Sequence, residues 1–152
     1  MIIRVLGSAA GGGFPQWNCN CGNCAAARAG DPHLQSRLQT AIAVSADGER
    51  WAILDASPDL REQIAASPSL QPSARDARRS SPIKAVVVTG FEVDQVGGLL
   101  NLREGQKFCL HATPFVLRSL QANPIFGALA QSAVSRLAME CGRPFEPFEG
   151  AA

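Results

Sequence analysis

One stretch of the sequence decides the predicted fold, Ile83-Lys-Ala-Val-Val-Val-Thr89. A nearly continuous run of valine is typical of a strand that is covered on both faces, as in a parallel sheet. Gly90–Asp94 then predicts the turn that leaves this strand. The apolar spacing that follows predicts an amphipathic helix carrying Val96, Leu99, Leu100 and Arg103.

Four further strands are predicted, three before this unit and one after it. Ile2–Leu6 is a short apolar run before a glycine-rich loop, and we expect a buried first strand there. Thr40–Ala46 and Arg50–Leu54 flank the dipeptide Asp47-Gly48, which favours a tight hairpin turn. A later strand is expected at Phe108–His111.

Two further helices complete the predicted pattern. Ser57-Pro58-Asp59 has a hydroxyl for capping and a proline at the first helical position, and the helix should end near Ser67-Pro68. The second helix runs from Pro114 through Leu120. Residues 67–82 are expected to form an exposed connection. This order of elements favours an α/β protein with a mixed sheet, and Arg143–Ala152 reads as the start of another strand without a partner.

Composition restricts the function classes. The 152 residues are 46% hydrophobic and 18% charged, which fits one globular domain. Fourteen basic against 13 acidic residues give a formal charge of +1, so no nucleic acid or anionic membrane is expected as a partner. No run approaches the roughly 18 apolar residues of a membrane span, and the N-terminus lacks the layout of a secretory signal. We therefore expect a cytoplasmic protein with no membrane span.

Three cysteines fall within six residues, in the array Cys19-Asn-Cys-Gly-Asn-Cys24. This C-x-C-x-x-C spacing lets the thiolates of Cys19, Cys21 and Cys24 reach one metal ion from a tight turn, and zinc suits such ligands better than an iron–sulfur cluster does. Zinc prefers a fourth ligand. The soft candidates within the chain are His33, His111, Cys109 and Cys141; otherwise the ligand lies outside it. Cys109 and Cys141 are also predicted to be core residues.

Three acids follow predicted strands: Asp55 after Trp51–Leu54, and Glu92 and Asp94 after Val86–Thr89. Ligands collect at the carboxyl ends of strands in open α/β sheets, and three converging carboxylates could hold a hard cation. Asp94 could equally cap a helix, and Asp55 could be a turn residue. The glycine-rich loop at residues 7–13 lacks the ending of a phosphate-binding loop, and we expect it to line a ligand or metal site.

Four segments closely resemble the coenzyme PQQ (pyrroloquinoline quinone) synthesis protein B family of the metallo-β-lactamase superfamily. They are Val5-Leu-Gly-Ser-Ala-Ala-Gly-Gly-Gly-Phe-Pro-Gln-Trp-Asn-Cys-Asn-Cys-Gly-Asn-Cys24, Leu54-Asp-Ala-Ser-Pro-Asp-Leu-Arg61, Gly98-Leu-Leu-Asn-Leu-Arg-Glu-Gly105 and Ala112-Thr-Pro-Phe-Val-Leu117. The resemblance implies an αββα sandwich that is built from two sequential halves. Residues 1–152 would then be a single domain of this kind that is truncated at its C-terminal end and corresponds to the N-terminal half.

The resemblance also implies a site. Cys19, Cys21 and Cys24 match the cysteines of a structural zinc site, which a histidine from the second half commonly completes. Asp55 matches the superfamily's first conserved acid, and Gly90–Gln95 aligns with its His-x-His-x-Asp-His metal motif. Of that motif only Glu92 and Asp94 retain side chains that can bind a metal, because glycine cannot ligate and an amide is a poor substitute for imidazole.

The implied function is a step in PQQ biosynthesis. One version is an iron-dependent oxygenase that hydroxylates the tyrosine ring of a Glu–Tyr dipeptide cut from the precursor, with Asp55, Glu92 and Asp94 as catalytic residues. A second is a soluble carrier in the transport of PQQ or its precursor towards the periplasm. The third is a truncated, non-catalytic zinc-binding remnant. An isolated half would expose the sheet face that its partner covers, which predicts a homodimer or aggregation.

Overall fold

The computed structural model describes residues 1–150 and contains one mixed sheet of six strands. In sheet order, which is also chain order, the strands are β1 (Ile2–Gly7), β2 (Ala41–Ser45), β3 (Trp51–Leu54), β4 (Ile83–Val88), β5 (Phe108–Ala112) and β6 (Val134–Ala138). β2 pairs antiparallel with both of its neighbours, β1 and β3, whereas β3 to β6 pair in parallel. The predicted mixed α/β sheet is thereby confirmed.

Between the strands, the described residues form four short α-helices and three 3-10 segments. The helices are α1 (Gly22–Arg28), α2 (Leu60–Ala65), α3 (Val93–Val96) and α4 (Pro114–Ala122), and the 3-10 segments are Pro68–Leu70, Gly97–Leu102 and Pro124–Ala128. α4 begins as its sequence predicts, with Pro114 in its first turn and the Thr113 hydroxyl accepting a hydrogen bond from the backbone N–H of Val116. Within residues 1–150, no helix has the length and apolar character needed to cross a membrane.

The main hydrophobic core lies on the face of the sheet that carries α2, α4 and the 3-10 segments. From the sheet it takes Ala43, Ile53, Val86 and Leu110, which the strand register places side by side. The helical layer contributes a second set of buried apolar residues, which includes Leu60, Leu70, Val96, Leu99, Val116, Leu120, Phe126 and Leu129. Burial of these side chains stabilises the sheet and fixes the ends of its central strands.

The opposite face of the sheet carries a second apolar row. The register places Val5, Ile42, Leu54, Val87, His111 and Leu137 across the six strands in that order. The C-terminal segment, by which we mean residues 143–150, covers this row at β5. The ring of Phe145 packs on that of His111 with centroids 4.9 Å apart, and Pro147 O lies 2.8 Å from His111 Nε2. Val5 and Leu137, at the two edges, stay exposed.

Several predictions about strands are corrected. β1 forms as predicted but is not buried: it is an edge strand, and Ile2, Ile3 and Val5 are exposed. The strand expected at Arg143–Ala152 is absent from its described part, and residues 151–152 lie outside the described residues. The last strand is instead β6, which the sequence analysis did not predict.

Two helix predictions and one core prediction also change. α2 begins at Leu60 and ends at Ala65, near the expected Ser67, but its predicted cap fails: the Ser57 hydroxyl bonds to Gln63 Oε1 at 3.3 Å rather than to the backbone. The expected helix after Asp94 is a single α-turn that continues as the 3-10 segment Gly97–Leu102. Cys109 is only half-buried, and Cys141 is exposed rather than in the core.

Candidate metal centre

Three thiols converge at the start of α1. Cys19 is half-buried in the preceding loop, Cys21 is exposed at the N-cap position, and Cys24 is buried in the first turns of the helix. Their sulfur atoms all lie within 4.8 Å of one another. In the part of the chain that the structure describes, no other group of three or more Cys, His, Asp or Glu side chains brings its ligand atoms together in this way.

Local backbone hydrogen bonds give this loop its shape. The N–H of Cys19 donates to Gln16 O at 3.1 Å, and the N–H of Ala25 donates to Cys21 O at 2.9 Å, which starts the helix. Cys21 and Cys24 are three residues apart and therefore share one side of the helical turn. We call residues 16–24 the cysteine loop.

Arg28, at the end of α1, reaches back to this loop. Its Nη1 donates to Cys24 O at 3.3 Å, and its Nη2 donates to Gln16 O at 3.1 Å and to Cys19 O. The sequence analysis did not single out this arginine. Its position four residues after Cys24, on the same side of the helix, is the signal that could have identified it.

The electrostatics of the loop favour deprotonation of one thiol. The backbone N–H of Cys24 and hydrogen bonds with the side chains of Cys19 and Cys24 lower the pKa of Cys21 to about 7. At Cys24, a hydrogen bond from the Gln16 backbone lowers the pKa, but burial and the two neighbouring thiols outweigh it, so the pKa is raised. Cys21 therefore carries substantial thiolate character at neutral pH, which is the form that binds metal.

This donor set suits zinc. Three sulfur ligands occupy three positions of the tetrahedron that Zn²⁺ prefers, and one position remains for a further ligand. The four soft candidates named from the sequence, which were His33, His111, Cys109 and Cys141, do not join the group. His111 is instead buried on β5 against Phe145 and Pro147.

The three carboxylates at the strand ends are arranged differently. Asp55 follows β3 with a φ of 59°, a left-handed conformation that is uncommon outside glycine. Its Oδ1 accepts hydrogen bonds from the N–H of Thr89 at 2.8 Å and from the Thr89 hydroxyl, which also reaches Oδ2 at 2.8 Å. Thr89 thus engages both oxygens of Asp55 and supports the strained backbone.

Glu92 and Asp94 have other partners. Glu92 forms a capping box at the start of α3: its side chain accepts from the N–H of Gln95, and Gln95 Oε1 accepts from the N–H of Glu92 at 3.1 Å. Gln95 Nε2 also donates to the Thr89 hydroxyl at 3.0 Å. Asp94 lies against the glycine-rich loop, where a Cβ on Gly11 would come within 3.3 Å of its Oδ2. The glycine-rich loop therefore lies next to Asp94.

Asp55 and Glu92 are joined by one chain of hydrogen bonds through Thr89 and Gln95, whereas Asp94, within the described residues, has no hydrogen bond in this series. In the range 1–150, Asp55, Glu92 and Asp94 do not bring their oxygen atoms together as the cysteine sulfurs are brought together. The network that links Asp55 to Glu92 depends on Thr89 and Gln95, to which the sequence analysis assigned no role in a network.

Comparison with known proteins gives a consistent picture. The β-lactamase superfamily domain matches residues 50–151. Coenzyme PQQ synthesis protein B of Methylorubrum populi is 52% identical over 150 residues, which are 99% of this chain and 50% of that protein. The protein of the same name from Gluconacetobacter diazotrophicus is 57% identical over 143 residues, 94% of this chain and 46% of its own length. The chain therefore spans about half the length of the curated relatives it matches.

Solved structures agree with these relatives. The zinc-bound PqqB of Methylobacterium extorquens superposes with a TM-score of 0.94 at 51% identity, over 99% of this chain and 53% of that one. A diphosphatase of the PhnP family has a TM-score of 0.69 at 27% identity, over 91% of this chain and 50% of its own. The resemblance drawn from the sequence motifs is confirmed, and the chain belongs to the β-lactamase superfamily, with PQQ synthesis B proteins as the relatives it matches along almost its whole length.

Proposed function

We propose that this chain acts in PQQ biosynthesis as a B-type protein whose cysteine loop holds a structural zinc ion. The observation that carries the zinc assignment is the convergence of the Cys19, Cys21 and Cys24 sulfurs within 4.8 Å. A zinc-bound relative at 51% identity supports the choice of metal. The biosynthetic role rests on the relatives, which share the name coenzyme PQQ synthesis protein B.

The three cysteines would hold the ion by their thiolates. When bound, zinc supplies a structural cross-link between the loop before α1 and the helix itself, and the free energy of metal binding adds to the stability of the folded state. The lowered pKa of Cys21 reduces the cost of releasing a proton on binding. Residues 16–21 lie outside any helix or strand, and this cross-link would tie them to α1.

An active-site iron does not fit the residues that the resemblance assigns to it. Both carboxylate oxygens of Asp55 accept from Thr89, and the carboxylate of Glu92 caps α3. Gln95, at the last position of the motif, offers an amide that is already bonded to Thr89 and Glu92. The side chains of Asp55, Glu92 and Gln95 are therefore engaged in holding the turn after β4 rather than arranged around an iron ion.

The strand-end acids have another use in this proposal. Asp55, Glu92 and Asp94 follow β3 and β4, at the edge where ligands collect in open α/β sheets. We assign the contact with the PQQ precursor, a small molecule or dipeptide that carries amino groups, to Asp94, because among the described residues the carboxylates of Asp55 and Glu92 already accept from Thr89 and from the start of α3. Carboxylates of exposed or half-buried residues can accept hydrogen bonds from those amino groups.

Metal analysis tests the zinc assignment. The purified chain, expressed with zinc supplied, should contain about one zinc ion per molecule. Cys24→Ser should lose most of it, whereas Cys141→Ser, which changes an exposed cysteine outside the cluster, should retain it. Absence of zinc from the unmodified protein, or equal zinc in the two variants, would contradict the assignment.

Calorimetry tests the precursor contact separately. Titration with a Glu–Tyr dipeptide should give heat of binding, and Asp94→Asn should weaken it by about tenfold, as expected for loss of a charged hydrogen bond. The control is Asp31→Asn, which changes an acid on a loop after α1. If the dipeptide gives no heat with the unmodified chain, the precursor contact is wrong, while the zinc assignment is unaffected.

A further inference from the structure

We propose that Arg28 is a positioning residue for the metal-binding cysteines, which holds the cysteine loop in the shape that brings the three sulfurs together. This inference rests on the proposed zinc site and adds a residue to it. Arg28 is not itself a ligand, because a guanidinium has no lone pair to offer a metal at ordinary pH. It acts through the backbone of the residues that are ligands.

The evidence is that one guanidinium binds three carbonyl oxygens from both sides of the helix start. Nη1 donates to Cys24 O inside α1, and Nη2 donates to Gln16 O and Cys19 O in the loop before it. An arginine in the last turn commonly binds a carbonyl of its own helix, and that role accounts for the Cys24 contact alone. The two contacts to residues 9 and 12 positions earlier have no such explanation.

Each of the three carbonyls belongs to a residue that shapes the site. Cys19 and Cys24 are two of the three sulfur donors. Gln16 O also accepts from the N–H of Cys19, and the Gln16 backbone hydrogen bonds to the thiol of Cys24. Arg28 therefore ties the backbone of Cys19 in the loop to the backbone of Cys24 in the helix.

The shape of the guanidinium matters for this role. Its nitrogens lie in a rigid plane, so one side chain can donate to carbonyls on two different segments at once. A lysine ammonium is a compact point charge on a flexible stem and lacks this planar arrangement of donors.

The first test measures metal affinity. Cobalt(II) titrations, read from the absorption of the tetrahedral thiolate complex, should show that Arg28→Ala binds about 10- to 100-fold more weakly than the unmodified chain. The cobalt affinity of Arg28→Lys should be lowered nearly as much, because lysine keeps the charge but not the planar arrangement of donors. Arg118→Ala, at an exposed arginine of α4, serves as the control and should bind normally. Unchanged affinity in Arg28→Ala, or full affinity in Arg28→Lys, would overturn the proposal.

The second test needs no metal. Cys24 is only 5% exposed, so it should be alkylated slowly in the metal-free protein. Loss of the Arg28 contacts should raise the alkylation rate of Cys24 by about tenfold or more, measured by mass spectrometry, while that of the distant, exposed Cys141 stays the same. An unchanged Cys24 rate would refute the positioning role. If the unmodified chain binds no cobalt but Arg28→Ala still exposes Cys24, the zinc proposal fails and the positioning role remains.

Discussion

The side-chain amide of Gln95 fills the space beside Gly90. A Cβ atom on residue 90 would lie 2.9 Å from both Cδ and Nε2 of Gln95, closer than side-chain atoms approach in folded proteins. The amide is held there by its bonds to the Thr89 hydroxyl and the Glu92 backbone. The two positions at which the chain departs most from the superfamily's metal motif are therefore coupled, since the glycine leaves room for the glutamine.

Gly90→Ala tests this coupling. The new methyl group should displace the Gln95 amide and break its two hydrogen bonds, lowering the free energy of unfolding by about 1–2 kcal/mol. In the Gln95→Ala background those bonds are already absent, and the same change at position 90 should cost little. Urea unfolding of the four proteins in the double-mutant cycle measures the difference. Equal costs in both backgrounds would mean that the two residues are independent.

Gly98→Ala should be more damaging, because its neighbours are backbone atoms that cannot rotate away. A Cβ there would meet Ser57 O, Ala56 O at 2.9 Å and the Cβ of Leu60 at 2.8 Å, all in the buried contact beneath the 3-10 segment. Overpacking of this kind costs about 1–3 kcal/mol, measured as a lower urea midpoint. Gly127→Ala is the matched control, since nothing lies within 4 Å of its Cβ position. A similar drop in the urea midpoint of both variants would show that the contacts around Gly98 are not the cause of the loss.

The carboxylate of Asp47 organises the β2–β3 turn and should make folding sensitive to acid. Backbone N–H groups of Arg50 and Glu49 and the guanidinium of Arg50 donate to it, and the Arg50 contacts above all hold the pKa of Asp47 well below its usual range. A carboxylate whose pKa is lower in the folded state stabilises it above the unfolded pKa of about 4, and this contribution is lost as the pH falls towards the folded pKa.

Asp47→Asn should therefore lower the thermal midpoint at pH 7, and its difference from the unmodified protein should shrink below about pH 4. Glu49→Gln in the same turn is the control, because among the described residues the Glu49 side chain makes no hydrogen bond or ion pair, and the change should have little effect at either pH. Melting curves between pH 3 and pH 7 measure both. If the difference in thermal midpoint between Asp47→Asn and the unmodified protein grew as the pH fell, the Asp47 carboxylate would not be the stabilising group.

Local features were predictable from the sequence, whereas features set by distant contacts were not. The cysteine cluster follows from spacing within six residues, and the β2–β3 turn follows from Asp47-Gly48, whose glycine has a φ of 81°. β6 was missed because Val134 is the sole β-branched residue in Val-Ser-Arg-Leu-Ala, so that its pairing with β5 decides its structure. The acids were placed at strand ends correctly, but their partners depend on Thr89, which lies 34 residues from Asp55.

The exposure of β1 is a second feature that the local sequence did not predict. An apolar run such as Ile2–Leu6 indicates a strand, but the run itself does not show whether another strand covers its outer edge. In the structure β1 pairs with β2 alone, and its side chains Ile3 and Val5 remain 59% and 64% exposed. Edge strands with exposed apolar side chains are prone to association.

The exposed row on the second sheet face therefore predicts self-association of the isolated chain. Ile3 and Val5 at one edge and Leu137 at the other, 43% exposed, remain accessible on this face, whereas the C-terminal segment covers His111 of β5 between them. Burying one such side chain in a dimer contributes about 1.5–3 kcal/mol, so Val5→Lys should weaken the dimer by about tenfold or more. Sedimentation velocity over a range of concentrations measures the dimer affinity.

Ile125→Lys is the control for this prediction, because Ile125 is 57% exposed in the 3-10 segment on the opposite, helical side. A chain that stays monomeric at high concentration, or a dimer weakened equally by both changes, would show that this face is not the contact surface.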